Sequence, residues 1–408
     1  MNKVKIGVFG AGRGSSMIQY CIDAQNAELV AICDKNEKLI EEKRKEDECK
    51  NVTFYTSFDE FLDHDMDAVV LANYATEHAK YAIKCLEKGL HVLSEVLPVQ
   101  TMREAVELAE AVEKSGKIYS YAENYCYMPA AYEMRKLYRD GKLGNFEYGE
   151  GEYMHNCEDI WGYITHGDPK HWRNNMYATY YCTHSMGPLL HITGLRPVKV
   201  VGFEVPYNDR MARCGAKAGP IGIEMVTLEN GGIVKSLHGV GCSRNSIWYS
   251  IYGSLGRCES AREDAQNGDM SVIYTNLDEF EGQNSSNVVK YSPKFEASDK
   301  AASYGHGNSD FFTMYNFTEK ILGNENADII DVYEALDMFL PGLLAYRSVL
   351  NGGIPMDIPN FRNKEEREKY RDDVACVDPE IAGEQWIPSF SEGDVYVDPS
   401  VYDKFKNM

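Results

Sequence analysis

The feature that most constrains this chain is the order strand, glycine turn, helix within its first 24 residues. Val4, Ile6, Val8 and Phe9 make a short apolar run that breaks at Gly10-Ala11-Gly12-Arg13-Gly14-Ser15, and a helix-compatible segment follows at 17–24. In that order the backbone N–H groups at a helix N-terminus can face a pyrophosphate. A second apolar strand, 29–33, ends in Asp34. A carboxylate there accepts hydrogen bonds from both hydroxyls of an adenosine ribose and repels a 2′-phosphate, which favours NAD over NADP. Lys35 beside it pulls the other way, and Ser15 stands where a third glycine is expected.

The same rhythm continues. Strands are expected at 52–55, 67–72, 91–95 and 118–121, and helices at 37–50, 57–62, 77–88 and 102–115, two of them closed by Gly89 and Gly116. The near-continuous apolar run 67–72 reads as a buried parallel strand. Alternation of this kind through residue 122 predicts a doubly wound parallel sheet. Ligands bind beyond the carboxyl ends of such strands. Gly10, Gly12, Arg13, Gly14, Ser15, Asp34, Asn73, Tyr74, Thr76 and Glu95 are therefore expected to converge on one crevice.

After Tyr121 the pattern changes. A helix is expected at 129–140, then strands at 146–155, 198–205, 223–228, 232–239 and 248–253, separated by glycine turns rather than by helices. That predicts a large, mainly antiparallel open sheet. Helices return at 310–322 and 332–350, and a charged run, 364–373, reads as a solvated helix. The expected fold is α/β: a Rossmann domain over 1–122, an α+β domain with its own sheet over 123–358, and a tail, 359–408, packing on them.

The formal charge of −21 argues against a nucleic-acid partner, which calls for a basic face. No apolar run reaches the ~18 residues that a membrane span needs, and residues 1–10 enter a strand directly rather than forming a leader. Eleven scattered cysteines without a C-x-x-C pair fit reduced thiols and a cytoplasmic protein. His155, Asp159, His166, Asp168 and His171 are rich in ligand types, but their spacing matches no helical metal pair. They read as a loop over a pocket, with no metal. Trp161, Trp172 and Arg173 fall in that loop and are candidates for an aromatic platform under a sugar ring, with a guanidinium for a polar substituent.

Over about residues 3–358 the chain resembles the Gfo/Idh/MocA family of NAD(P)-dependent sugar oxidoreductases. The likeness rests on the glycine turn, the strand ending at Asn73, the run His78…Ala82…Gly89-Leu90-His91-Val92, and Gly144. Most members carry Glu-Lys-Pro after the fourth long strand, with the lysine as acid/base. Here the sequence is Glu95-Val96-Leu97-Pro98, without the lysine. The branch containing the NAD-dependent α-N-acetylgalactosaminidases has a similar loss. It is also similar at Glu123-Asn124-Tyr125-Cys126-Tyr127, at Tyr181-Cys182-Thr183-His184-Ser185-Met186-Gly187-Pro188 and at Gly305-His306-Gly307-Asn308-Ser309-Asp310. The resemblance implies a sugar pocket holding Glu95, Tyr127, Tyr181 and His184, with His184 acting on the 3-hydroxyl. It further implies a substrate contact at His306, cofactor contacts at His78 and Asn124, and a homo-oligomer (dimer or tetramer).

Chemistry supports the histidine independently. Oxidising a hydroxyl requires a base within hydrogen-bond reach. An ordinary phenol is only about one part in a thousand ionised at pH 7, a cost of roughly 4 kcal/mol, whereas an ordinary imidazole is ready. The expected activity is NAD-dependent oxidation of a sugar or glycoside at C3. Two alternatives stay open: a redox-neutral glycosidase that re-reduces the ketone after losing the C1 substituent, and a non-catalytic NAD-binding sensor.

Overall fold

The computed structural model describes residues 3–262, 271–278, 287–294, 304 and 309–405. Compactness does not follow chain order. The first unit takes the described residues of 1–124, 297–336 and 361–373, and the second those of 125–296, 337–360 and 374–408.

In the first unit, strands β1 (Val4–Phe9), β2 (Ala27–Cys33), β3 (Thr53–Tyr55), β4 (Ala68–Leu71), β5 (His91–Ser94) and β6 (Tyr119–Tyr121) form one parallel sheet. Its order is β3-β2-β1-β4-β5-β6, so the topological switch lies between β1 and β4. β4 is buried along its whole length, as a two-sided parallel strand must be. Helices α1 (Ser15–Asp23), α2 (Glu37–Lys43), α3 (Phe58–Leu62), α4 (His78–Glu87) and α5 (Met102–Ser115) alternate with the strands. Local chemistry sets their ends: Ser57 accepts from the Glu60 N–H, Thr101 and Glu104 form a capping box, and Gly116 closes α5 in the left-handed region. The helix expected over 37–50 stops at Lys43 and is followed by a single 3-10 turn, Asp47–Cys49. Beyond Lys43 that stretch offers only Cys49 to the core, too little to hold a longer helix in place.

Two later segments complete this unit. The helix Ser309–Ile321 packs Met314 and Phe317 into the same core as Val8, Met17 and Ile18. The run 364–373 is not a solvated helix. Only Lys364–Glu368 is helical, and Arg367 is buried, its guanidinium paired with both Glu113 oxygens at 2.6 and 2.7 Å and with the Phe361 carbonyl at 3.2 Å. Hydrogen bonding to Arg367 pulls the Glu113 carboxyl down to about 2. A run of charges becomes an anchor because one guanidinium finds a bidentate partner on α5.

The second unit is built on a nine-stranded sheet among the described residues. Its strands are β7 (Phe146–Asn156), β8 (Pro197–Glu204), β9 (Ile221–Leu228), β10 (Ile233–Gly239), β11 (Gly241–Gly253), β12 (Gly256–Ser260), β13 (Ile273–Leu277), β14 (Val289–Tyr291) and β15 (Met356–Asp357). The order is β14-β13-β12-β11-β7-β10-β9-β8-β15, antiparallel except for β10 against β7. One face is covered by helices including α6 (Pro129–Arg139) and, later in the chain, Thr183–Thr193, and burial alternates strictly along β9 as a one-sided sheet requires. All eleven cysteines are free thiols. No helix among the described residues is long and apolar enough to cross a membrane.

Candidate active site

On the first unit the glycine turn does what its spacing asks. Gly10 has φ +101°, and an added Cβ would lie 2.7 Å from the Asn73 nitrogen; at Gly14 it would lie 2.7 Å from the Val8 side chain. Both glycines are required by the fold itself. Gly12 differs, because a Cβ there would meet only a Leu39 methyl at 3.9 Å. That open space lies at the N-terminus of α1, where no side chain caps the helix and no acid occupies the first turn. A helix N-terminus without a side-chain cap, beside a cradle with room in it, fits a pyrophosphate. Asp34 is oriented for the ribose: one oxygen accepts from the Ala11 N–H at 2.8 Å, the other from the Asn36 N–H at 2.8 Å. A carboxylate offers about four acceptor sites, so accepting capacity is left. Lys35, the cation nearest to where a 2′-phosphate would need one, is paired with Glu77 at 2.9 Å. Tyr74 is exposed and Asn73 donates to its carbonyl at 3.3 Å. Ser15 is exposed and Thr76 partly so. The residues present fit NAD.

Arg13, Glu95 and Asn124 join a polar knot rather than an open wall. Arg13 pairs with Glu95 at 2.6 Å and with Asp310 at 3.2 Å, and Asp310 also accepts from Ser16 at 2.9 Å and Asn124 at 2.9 Å. Asp310 is buried and was not expected at the site. Its only sequence signal is its place at the end of the Gly305–Asp310 motif. His306, in the same motif, lies outside the described residues.

The cofactor contact expected at His78 is corrected. The ring is buried, with Nδ1 2.8 Å from the Leu97 carbonyl and Nε2 3.2 Å from that of Asn73. It ties together the loops after β4 and β5. Burial outweighs those carbonyls and lowers its pKa from 6.5 to about 4. As pH falls below about 6.5 the unfolded chain therefore takes up a proton that the folded chain refuses until about pH 4, so acid favours unfolding across that window. We expect this ring to remove about 2 kcal/mol of stability between pH 7 and pH 5. Urea midpoints at the two pH values, compared with those of His78→Gln, check it. Equal pH dependence in both proteins would refute the assignment.

On the second unit the residues around His184 gather closely. His184 sits in the first turn of the helix Thr183–Thr193. Its ring centroid is 4.4 Å from Tyr125, 4.7 Å from Tyr153 and 5.1 Å from Tyr181. The Tyr249 hydroxyl donates to its backbone carbonyl. The ring is 6% exposed, nearly enclosed rather than open on a pocket wall. Burial, reinforced by Tyr125 and Tyr181, pushes the Tyr153 phenol well above its ordinary value, so Tyr153 is a packing wall and not a base. Tyr181 stacks on Trp172 at 6.3 Å and 18°, and the Arg173 guanidinium lies 4.3 Å from the Trp172 ring and 5.6 Å from that of Tyr181. Trp172, Arg173 and Tyr181 thus form one stacked group.

Two expectations change here, for Trp161 and for the loop around it. Tyr127 packs against His191 at 5.7 Å. His191 lies seven residues beyond His184 on the same helix, about 10 Å along its axis. Tyr127 thus packs on a ring further along that helix, and Tyr125 packs on the ring of His184 itself. Trp161 is not part of a platform: it is buried, donating to Asn174 at 2.7 Å. The segment expected as a loop contains the helices Glu158–Thr165 and Trp172–Asn175, and His171 caps the second by accepting from the Arg173 N–H at 3.2 Å. Among the described residues no group of three His, Cys, Asp or Glu side chains is placed to hold a metal ion.

Comparison with known proteins extends this picture. Residues 4–123 match a family model described as an oxidoreductase family with an NAD-binding Rossmann fold, and residues 193–367 match the glycosyl hydrolase 109 C-terminal domain. A glycosyl hydrolase family 109 protein from Solibacter usitatus is 24% identical over 397 residues, 88% of each chain. Another, from Bacteroides thetaiotaomicron, is 24% identical over 402 residues, covering 88% of this chain and 85% of that one. The solved structure of scyllo-inositol dehydrogenase from Lactobacillus casei, with bound NAD(H) and scyllo-inositol, superposes with a TM-score of 0.67 at 15% identity, covering 87% of this chain and 99% of that one.

Proposed function

Because residues 4–123 match the NAD-binding Rossmann domain of the Gfo/Idh/MocA oxidoreductase family and residues 193–367 match the glycosyl hydrolase 109 C-terminal domain, we propose that the chain oxidises the C3 hydroxyl of a sugar or glycoside. His184 is the base and Tyr181 assists it. Gly12, Ser15, Asp34, Asn73, Tyr74 and Thr76 hold NAD, which supplies the hydride acceptor. The observation that carries this reading is the substitution at the family's lysine position. Val96 and Leu97 stand there, both buried and apolar, while an imidazole stands among tyrosine rings beside the Trp172–Arg173 platform. His184 takes the hydroxyl proton. The surrounding rings exclude water, and Arg173 offers donors to a polar substituent. Glu95, locked to Arg13, orients rather than titrates.

The match over 193–367 and the names of the relatives favour a second stage. A ketone at C3 acidifies the C2 proton; its removal expels the C1 substituent, water then adds, and return of the hydride to C3 restores the hydroxyl, so the whole reaction is hydrolysis without net oxidation. Incubation with a chromogenic glycoside decides between the two outcomes. Aglycone release without net NADH supports the hydrolytic cycle. A stoichiometric 3-keto product without release supports a plain dehydrogenase, and neither product overturns both readings.

The proposed setting is cytoplasmic and oligomeric. The outer sheet face exposes Phe203, Ile233 and Tyr252, apolar side chains that a second copy would cover; light scattering reads the mass directly.

A further inference from the structure

Under the helix that carries His184, the sheet holds two ionisable side chains that the mechanism does not use. Glu224 on β9 is 0% exposed and His238 on β10 is 2% exposed, with Glu224 Oε2 3.5 Å from His238 Nδ1. Among the described residues neither Glu224 oxygen nor His238 Nδ1 has a hydrogen-bond partner. The other ring nitrogen is committed: Nε2 lies 2.8 Å from the Ala178 carbonyl, so it carries a hydrogen and donates it. That leaves Nδ1 facing the carboxyl. Were both groups to present lone pairs, a carboxylate charge would be buried without compensation, which is costly. One proton between them, on either atom, removes the conflict and leaves the pair with no net charge.

The carbonyl that His238 holds is closely seated. Gly222, the register partner of His238, faces the same residue, and a Cβ there would lie 2.6 Å from the Ala178 oxygen. Next along the chain, the Thr179 hydroxyl donates to the Gly342 carbonyl at 2.7 Å. Two residues further on is Tyr181. His238, Arg173 and Tyr181 line one small pocket of about 10 Å³, with Met176, Met211 and Val240 also on its wall.

We propose that Glu224 and His238 share one proton and act as positioning residues. The shared proton fixes Nε2–H on His238, and its hydrogen bond to Ala178 sets the segment that brings Tyr181 and His184 to the substrate. This rests on the reading of His184 as the base. A misplacement of about 1 Å in such a segment is enough to cost ~100-fold in rate.

Two amides of similar size separate positioning from bulk. His238→Gln keeps an N–H near the Nε2 position and is expected to retain at least about a third of kcat. His238→Asn loses that donor and is expected to lose about tenfold or more in kcat, with NAD affinity within about twofold of the parent. Glu224→Gln supplies a fixed N–H to Nδ1 in place of the shared proton and is expected to behave as the parent. Hydrogen exchange over residues 176–186 should rise in His238→Asn and stay unchanged in His238→Gln. That readout needs no turnover, so it tests the pair even if no glycoside proves to be a substrate. Equal kcat and equal exchange in the two His238 variants overturn the positioning role. A loss of about tenfold in Glu224→Gln overturns the single shared proton.

Discussion

His184→Ala is expected to abolish turnover, lowering kcat by about 1,000-fold, or ~4 kcal/mol, while the protein still binds NAD with unchanged affinity. The size follows from what else stands near the ring. Tyr153 is held protonated by burial. Among the groups that the structure gathers around His184, none replaces an imidazole at neutral pH. The split in readout comes from the fold: the glycine turn and Asp34 belong to the first unit, His184 and its rings to the second. Steady-state kinetics on a glycoside and a fluorescence titration with NADH measure the two effects separately. Substantial residual turnover in the alanine variant would remove His184 from the mechanism, whatever the cofactor does.

The second large effect is expected at Gly12. Gly12→Val should weaken NAD binding about 100-fold, ~2.7 kcal/mol, and leave thermal stability close to that of the parent. A side chain added at Gly10 or Gly14 runs into the protein's own atoms, but at Gly12 it meets only Leu39 at 3.9 Å. Gly12 is not in the left-handed region, so a branched residue is not strained there. The valine would instead fill the space over the open N-terminus of α1. Calorimetric titration with NAD and a melting curve check the two halves of the expectation. Unchanged affinity would mean that the dinucleotide does not lie over this turn. A collapse in stability would mean that the apparent cradle is needed by the fold.

These two residues mark different limits of reading a chain from its sequence. The parallel sheet of the first unit is written locally, in apolar runs of buried-strand length, glycines at helix ends and a capping box at Thr101, because each signal acts within a few residues. The glycine turn and Asp34 belong to the same class, since the turn and the strand that ends at Asp34 are neighbours in both sequence and sheet. The large, mainly antiparallel second sheet was equally legible from alternation and turns.

Tertiary packing decided the rest. Asp310 reaches Arg13 across 297 residues, and no local pattern announces that a helix so far along the chain completes the first core. Arg367 looks solvated in sequence and is buried because Glu113 lies opposite. The ring of Tyr125 packs on His184 and that of Tyr127 on His191, a division within one motif that depends on which way a single turn faces. Glu224 and His238 read as ordinary polar positions in alternating strands, and only the register of β9 against β10 sets them side by side. Sequence alone determined the alternating strands of the first unit and the glycine turn where a dinucleotide fits, because those depend on short-range sterics and hydrogen bonding. Which side chains share a proton, a ring contact or an ion pair was decided by the tertiary structure, because those depend on distances between segments that the chain brings together only on folding.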